Sequence, residues 1–134
     1  MSLRHYEQAS QLWKASEGVV FRPQDDDRQS IQRYLRRNAR LSLVAVNGKK
    51  LVGTLLVGHD GRRGILRHLA VDAAYRRRGV GRRLVKEALR RLKGLKIQRA
   101  FIFILAKNRQ GRKFWKSQGW EEWGNVVAAG IATS

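Results

Sequence analysis

The chain has no cysteine, one proline, one methionine, and only 10 acidic residues against 29 lysines and arginines. Without cysteine there is no disulfide, no thiolate metal site and no cysteine nucleophile, and no metal is expected. With Pro23 as the sole proline, and no repeat or low-complexity tract, nothing reads as a linker. Residues 1–134 are therefore read as one domain, long enough to bury a single core. Apolar runs such as Ile102–Ala106 are far too short to span a bilayer. The opening MSLRHYEQAS lacks the apolar stretch of a secretory signal. A cytoplasmic protein, monomer or homodimer, that does not engage a membrane is expected.

What is abundant is positive charge. The formal net charge is +19, while 43% hydrophobic residues and four tryptophans argue for a packed globule rather than disorder. Charge of this size speaks to partners, not fold. It suits a nucleotide cofactor, a nucleic acid, an acidic lipid surface or an acidic protein, and is equally compatible with a merely solvated surface.

The periodicity changes several times along the chain. SLRHYE fits either a first strand or a helix lead-in, and QASQLWKAS reads as a short helix ending before Gly18. RPQDDDRQSIQRYLRRN reads as a loop feeding a helix, with Asp26 and Gln29 at capping-box spacing and Ile31, Tyr34 and Leu35 on its buried face. LSLVAV, the Asn-Gly turn, LVGTLLVG, a turn at HDGRRG and ILRHLAV predict a three-strand antiparallel meander over residues 41–71. Val80, Leu84, Val85, Ala88, Leu89 and Leu92 then share one helical face, and Gly94 marks the exit. RAFIFILA reads as a strand buried on both faces. NRQGRKFWKSQG reads as a helix from Asn108 to Gly119, and WEEWGNVVAAGI supplies one or two closing strands. The expected fold is α/β: a strongly twisted mixed sheet of six to seven strands, helices on both faces, splayed between the fourth and fifth strands.

The strand-to-helix junction YRRRGVGRRLV excludes two phosphate motifs. The nucleoside-triphosphatase loop needs Gly-Lys-Ser/Thr, which is absent, and the dinucleotide fingerprint has Leu84 where its third glycine belongs. What remains is Arg76-x-x-Gly79-x-Gly81. Glycines let the backbone approach an anion, and the opening N–H groups and dipole of the following helix attract it. Flanking arginines add charge-assisted bonds to phosphate.

Strand ILRHLAV, loop DAAYRRRGVGRRLV, helix, strand and NRQGRKFWKSQGW together resemble the GNAT superfamily of N-acetyltransferases over residues 40–124. The chain is similar to small bacterial members related to the ribosomal-protein alanine acetyltransferases. The family signature Arg/Gln-x-x-Gly-x-Gly/Ala falls on Arg76, Gly79 and Gly81, and a later segment is matched by Asn108, Gly111, Phe114, Trp115, Gly119 and Trp120. The resemblance implies acetyl-CoA as cosubstrate, with its pyrophosphate on Arg76, Arg77, Arg78, Gly79, Val80, Gly81 and Arg82. It also implies a pantetheine arm along Leu69, Ala70 and Val71, with Asn108, Gly111, Lys113, Phe114 and Trp115 nearby. A main-chain N–H at Leu69–Val71 would polarise the thioester carbonyl, and an amine would attack directly.

The base and acid are less plain. Family members often carry a carboxylate or histidine on the strand before the loop, where the inward positions here are Ile65 and Arg67. Alternation puts His68 on the face opposite Arg67 and Leu69, favouring packing over catalysis. Asp60 is ordinary turn chemistry or a substrate contact. Trp115 replaces the usual tyrosine acid, and an indole N–H donates a hydrogen bond but no proton. A thiol of pKa ~8.5 leaves as thiolate at neutral pH for about 2 kcal/mol, so the replacement bears on the acid and not on cofactor binding. Asp25, Asp26 and Asp27 border the expected acceptor cleft and either attract an amine or cap a helix. The expected activity is acetyl transfer to a primary amine of a small molecule, protein or peptide. The alternative is a catalytically impaired module binding CoA or nucleic acid, and nucleic acid is otherwise expected to bind only weakly and non-specifically.

Overall fold

The computed structural model describes residues 1–133. A 3-10 turn (Leu3–His5) leads into α1 (Tyr6–Lys14), followed by one-turn α2 (Pro23–Asp26) and α3 (Arg28–Arg37). The meander is β1 (Leu43–Asn47), β2 (Lys50–His59) and β3 (Arg63–Val71). A second 3-10 turn (Ala73–Tyr75) precedes α4 (Val80–Gly94), β4 (Arg99–Ile102) and α5 (Arg109–Ser117). SLRHYE is thus a helix lead-in, not a strand.

The sheet order is β1-β2-β3-β4, with the first three antiparallel and β4 parallel to β3. A parallel neighbour needs a long crossover, which α4 supplies. Central β2 is buried on both faces. On one face Leu55 and Val57 pack with Leu66 against Leu84, Val85, Ala88 and Leu92 of α4 and Trp115 of α5. On the other, Leu51, Leu56 and Ala70 meet Tyr6, Ala9 and Trp13 of α1 and Ile31 of α3. Helices therefore cover both faces, as the alternation of the meander requires.

The strand count differs from the expected six to seven: the sheet of the described residues has four strands. The shortfall has two physical sources, the leading and the closing segments, and one further strand is shorter than expected. The leading segment is helical. RAFIFILA is a strand only over Arg99–Ile102, on the sheet's edge rather than buried on both faces, and Phe103 is 62% exposed just beyond it. WEEWGNVVAAGI forms no strand, and its Val126, Val127 and Ile131 are exposed without a ladder to join. The strands expected to splay, the fourth and fifth, correspond here to β3 and β4, which pair only as far as Leu66↔Ile102.

β3 carries a bulge. Thr54 pairs with Ala70 and Leu56 with Arg67, so Leu55 alone opposes both His68 and Leu69. His68 takes the extra position in a left-handed conformation, φ 53°. The bulge breaks strict alternation and corrects the expected facing: Arg67 and His68 share the α1/α3 side, while Leu69 turns to the α4 core.

Candidate active site

β3 ends at Val71 and the chain turns at once. The Asp72 carboxylate accepts from the Ala74 N–H at 2.9 Å, and the Arg76 guanidinium donates to the Val71 carbonyl at 3.1 Å. Arg77 and Gly79 both adopt positive φ, 63° and 80°. Gly79 is the N-cap of α4 and offers no side chain to its opening N–H groups, and no acidic residue occupies the first turn. These donors are therefore free to meet an anion, and the helix dipole favours one there. A Cβ on Gly81 would lie 3.4 Å from the Phe114 ring and 3.8 Å from Val71, so α5 and the strand end close tightly around the loop. Arg78 stacks over Tyr75 at 5.3 Å. Arg77 and Arg82 form no ion pair among the described residues.

Beside this loop the sheet opens. β3 pairs with β4 from Arg63↔Arg99 to Leu66↔Ile102 and no further. From Arg67 to Val71 that edge of β3 has no partner strand, so the outward main-chain groups of Leu69, Ala70 and Val71 border the gap. The bulge lies just beyond the point where that pairing stops. An extended amide-bearing chain fits such an edge by strand addition.

α5 forms the far wall. Its N-cap Asn108 accepts from the Gly111 N–H at 2.9 Å. Lys113 is exposed and Phe114 half-buried beside Gly81. Trp115 belongs to the core, 8% exposed, with edge contacts to Phe114 at 5.3 Å and Trp120 at 4.9 Å. Asp60 sits at the other end of β3, whose length is roughly 26 Å at ~3.3 Å per residue. Its carboxylate is taken by the Arg62 and Arg63 N–H groups, both at 2.8 Å, which hold it below the usual carboxylate range. The structure thus brings Val71, the glycine loop at Gly81 and Phe114 together, places Asn108 beside Gly18 instead, and leaves Asp60 apart.

One constellation escaped the sequence. On the α1/α3 face, His68 Nε2 lies 2.8 Å from Asp26 Oδ1, both side chains largely buried. Asp26 Oδ2 accepts from the Arg22 N–H at 2.9 Å, and its carbonyl accepts from the Tyr6 hydroxyl at 2.6 Å. The His68 carbonyl accepts from Thr54 Oγ1, which accepts in turn from Trp13 Nε1, each at 2.9 Å. Burial works against the Asp26 charge, but the bonds from His68 and the Arg22 N–H outweigh it and hold its pKa below the usual value. The anticipated Asp26–Gln29 capping box is absent. Asp27 caps α3 instead, accepting from the Ser30 N–H at 2.6 Å. The run of three aspartates was the only signal, and the bulge that delivers His68 to Asp26 has none. Nearby, burial pushes the Tyr34 hydroxyl up to about 12 despite the Arg67 charge, and Tyr34 Oη has no hydrogen-bond partner among the described residues.

The model of the Acetyltransferase (GNAT) family matches residues 6–120. An acetyltransferase of Sodalis glossinidius (strain morsitans) is 32% identical over 87 residues, 65% of this chain and 60% of that protein's length. The PaiA N-acetyltransferase of Thermoplasma acidophilum, solved with coenzyme A, superposes with a TM-score of 0.76 at 17% identity, over 88% of this chain and 84% of that one. The ribosomal-protein-S18-alanine N-acetyltransferase of Escherichia coli gives 0.72 at 15% identity, over 92% and 76%. These two solved structures share the fold. Among the described residues no helix is long and apolar enough to cross a membrane. With a family model matched over most of its length, this chain belongs to the GNAT acetyltransferase family.

Proposed function

We propose that the protein transfers the acetyl group of acetyl-CoA directly to a primary amine of a small molecule, peptide or protein. One observation carries this reading: the unpaired edge of β3 at Leu69–Val71 runs straight into a glycine loop that caps a helix with free N–H groups. The loop would take the pyrophosphate, with Arg76, Arg77, Arg78 and Arg82 supplying charge. The β3 edge would take the pantetheine amides, and a main-chain N–H there would stabilise the developing oxyanion. The coenzyme A found in the PaiA structure supports this cosubstrate. The chain has no cysteine to form a thioester of its own, so a direct transfer fits.

A second reading is a CoA-binding module without turnover. What favours it is Trp115, which is packed in the core at the position where the family usually has a tyrosine acid. Both readings bind CoA, so binding does not separate them. The test is release of CoA thiol against a library of amines and peptides. Turnover with any acceptor supports the transferase, and saturable acetyl-CoA binding with no turnover supports the module.

A further inference from the structure

We propose that the outer face of β3 and β4 binds unpaired RNA, with bases stacking on Phe101, Phe103 and Trp123 and phosphates meeting Arg63, Arg67 and Arg99. The proposal goes beyond the acetyl-transfer reading and does not rest on it.

β4 divides its side chains by alternation. Ala100, Ile102 and, just past the strand, Ile104 pack on the α4 core, so Arg99, Phe101 and Phe103 leave the opposite face. α1 and α3 cover that face only over the first three strands. The strand residues they bury, such as Val44, Leu56 and Ala70, include none from β4 among the described residues. Phe101 and Phe103 belong to neither core cluster, and Phe103 and Trp123 are exposed. Large aromatic side chains gathered in water rather than scattered mark a surface that binds something.

The rings form a row. Phe103 lies 5.6 Å from Phe101, and Phe101 lies 6.3 Å from Trp123. An arginine stands at each end, Arg67 over Phe103 at 5.5 Å and Arg63 over Trp123 at 6.0 Å. Arg63 and Arg99 are register partners on neighbouring strands, so two exposed cations sit side by side on one face. None of the three arginines has an ion pair among the described residues, and Glu122, next to Trp123, is taken by Arg112 at 2.6 Å. Adjacent like charges repel, and a phosphate between them removes that repulsion.

A chain of net charge +19 calls for a polyanion. A second copy would bring the same three arginines against these, so charge opposes self-association through this face. A duplex offers phosphates but keeps its base faces stacked on one another, which leaves the aromatic row unused. An unpaired strand offers both, and aromatic rings flanked by cations are how such strands are held. Unpaired bases that can be splayed out belong to RNA loops, bulges and ends. Stacking reads no base edge, so the binding is tolerant of sequence.

The test uses the full chain and fluorescence anisotropy with three probes: a labelled unpaired RNA of mixed sequence, an RNA hairpin of equal phosphate number, and vesicles of anionic phospholipid. The unpaired RNA should bind about tenfold or more tighter than the hairpin. Phe103→Ala and Trp123→Ala should each weaken the unpaired RNA by about tenfold, with hairpin and acetyl-CoA affinities and the circular dichroism kept. Trp123→Phe keeps a ring and should retain RNA binding, while losing the quenching of tryptophan fluorescence that RNA causes in the unaltered protein. Arg63→Gln and Arg99→Gln should each lower the salt slope of RNA binding by about 0.7, the value for one phosphate contact on a single strand. Equal affinity for the hairpin, or RNA binding indifferent to both alanine variants, would overturn the inference. So would vesicle binding or self-association that those two variants abolish while RNA binding persists.

Discussion

At the scale of single residues, the site depends on backbone conformation more than on side-chain chemistry. Gly79 sits at φ 80°, where a Cβ costs about 1–2 kcal/mol. Gly79→Ala should therefore unfold at lower denaturant by roughly that amount and bind acetyl-CoA more weakly. Gly81 is helical, and its constraint is space: the Cβ of an alanine meets Phe114 at an ordinary 3.4 Å, whereas a leucine would have to displace that ring. Gly81→Leu should stay folded by circular dichroism yet lose acetyl-CoA binding in calorimetry. Asp26 gives a pH dependence. Its folded pKa lies below the unfolded 3.8, so its stabilisation is complete above that value and lost as pH falls through the lower folded one. Acid titration of unfolding below about pH 4 should accordingly be flatter in Asp26→Asn. The glycines and arginines of the loop were legible in sequence because their spacing is local. The His68–Asp26 pair was not, because it joins residues 42 apart through a bulge that no composition signals.

At the scale of elements, the helices were read well and the sheet edges poorly. α4 announced itself by apolar period and a terminal glycine, and its buried Leu92, 2% exposed, faces the sheet while Leu89 is 39% exposed. Leu92→Ala should destabilise by about 2–5 kcal/mol in chemical denaturation, and Leu89→Ala by much less. Asn108 was foreseen as the start of α5, and Asn108→Ala should cost ~1 kcal/mol of stability through loss of the bond to the Gly111 N–H. The closing strands failed because a strand exists only with a neighbour. Phe101 and Phe103 look like a buried strand in one dimension, but pairing with β3 stops at Leu66↔Ile102. The early end of pairing that cuts the strand short is also what leaves the proposed cofactor edge of β3 unpaired.

At the scale of the molecule, the +19 charge is spread over the surface with few internal partners. Glu87, drawn down to about 2 by bonds from Arg90 and then Arg91, is one of the few carboxylates that engage it. Acetyl-CoA carries few charges and should use only the cations at the loop, so its affinity should fall modestly with salt. A DNA duplex would recruit many more, with a slope of roughly 0.9 per phosphate contact, and paired salt titrations distinguish the two. The central claim is that the open edge of β3 and the capped end of α4 form one acetyl-CoA site, and amide hydrogen exchange with and without acetyl-CoA tests it most directly. Protection should appear at Leu69–Val71 and at Gly79–Arg82 together. Saturable binding that leaves both segments unprotected would contradict it.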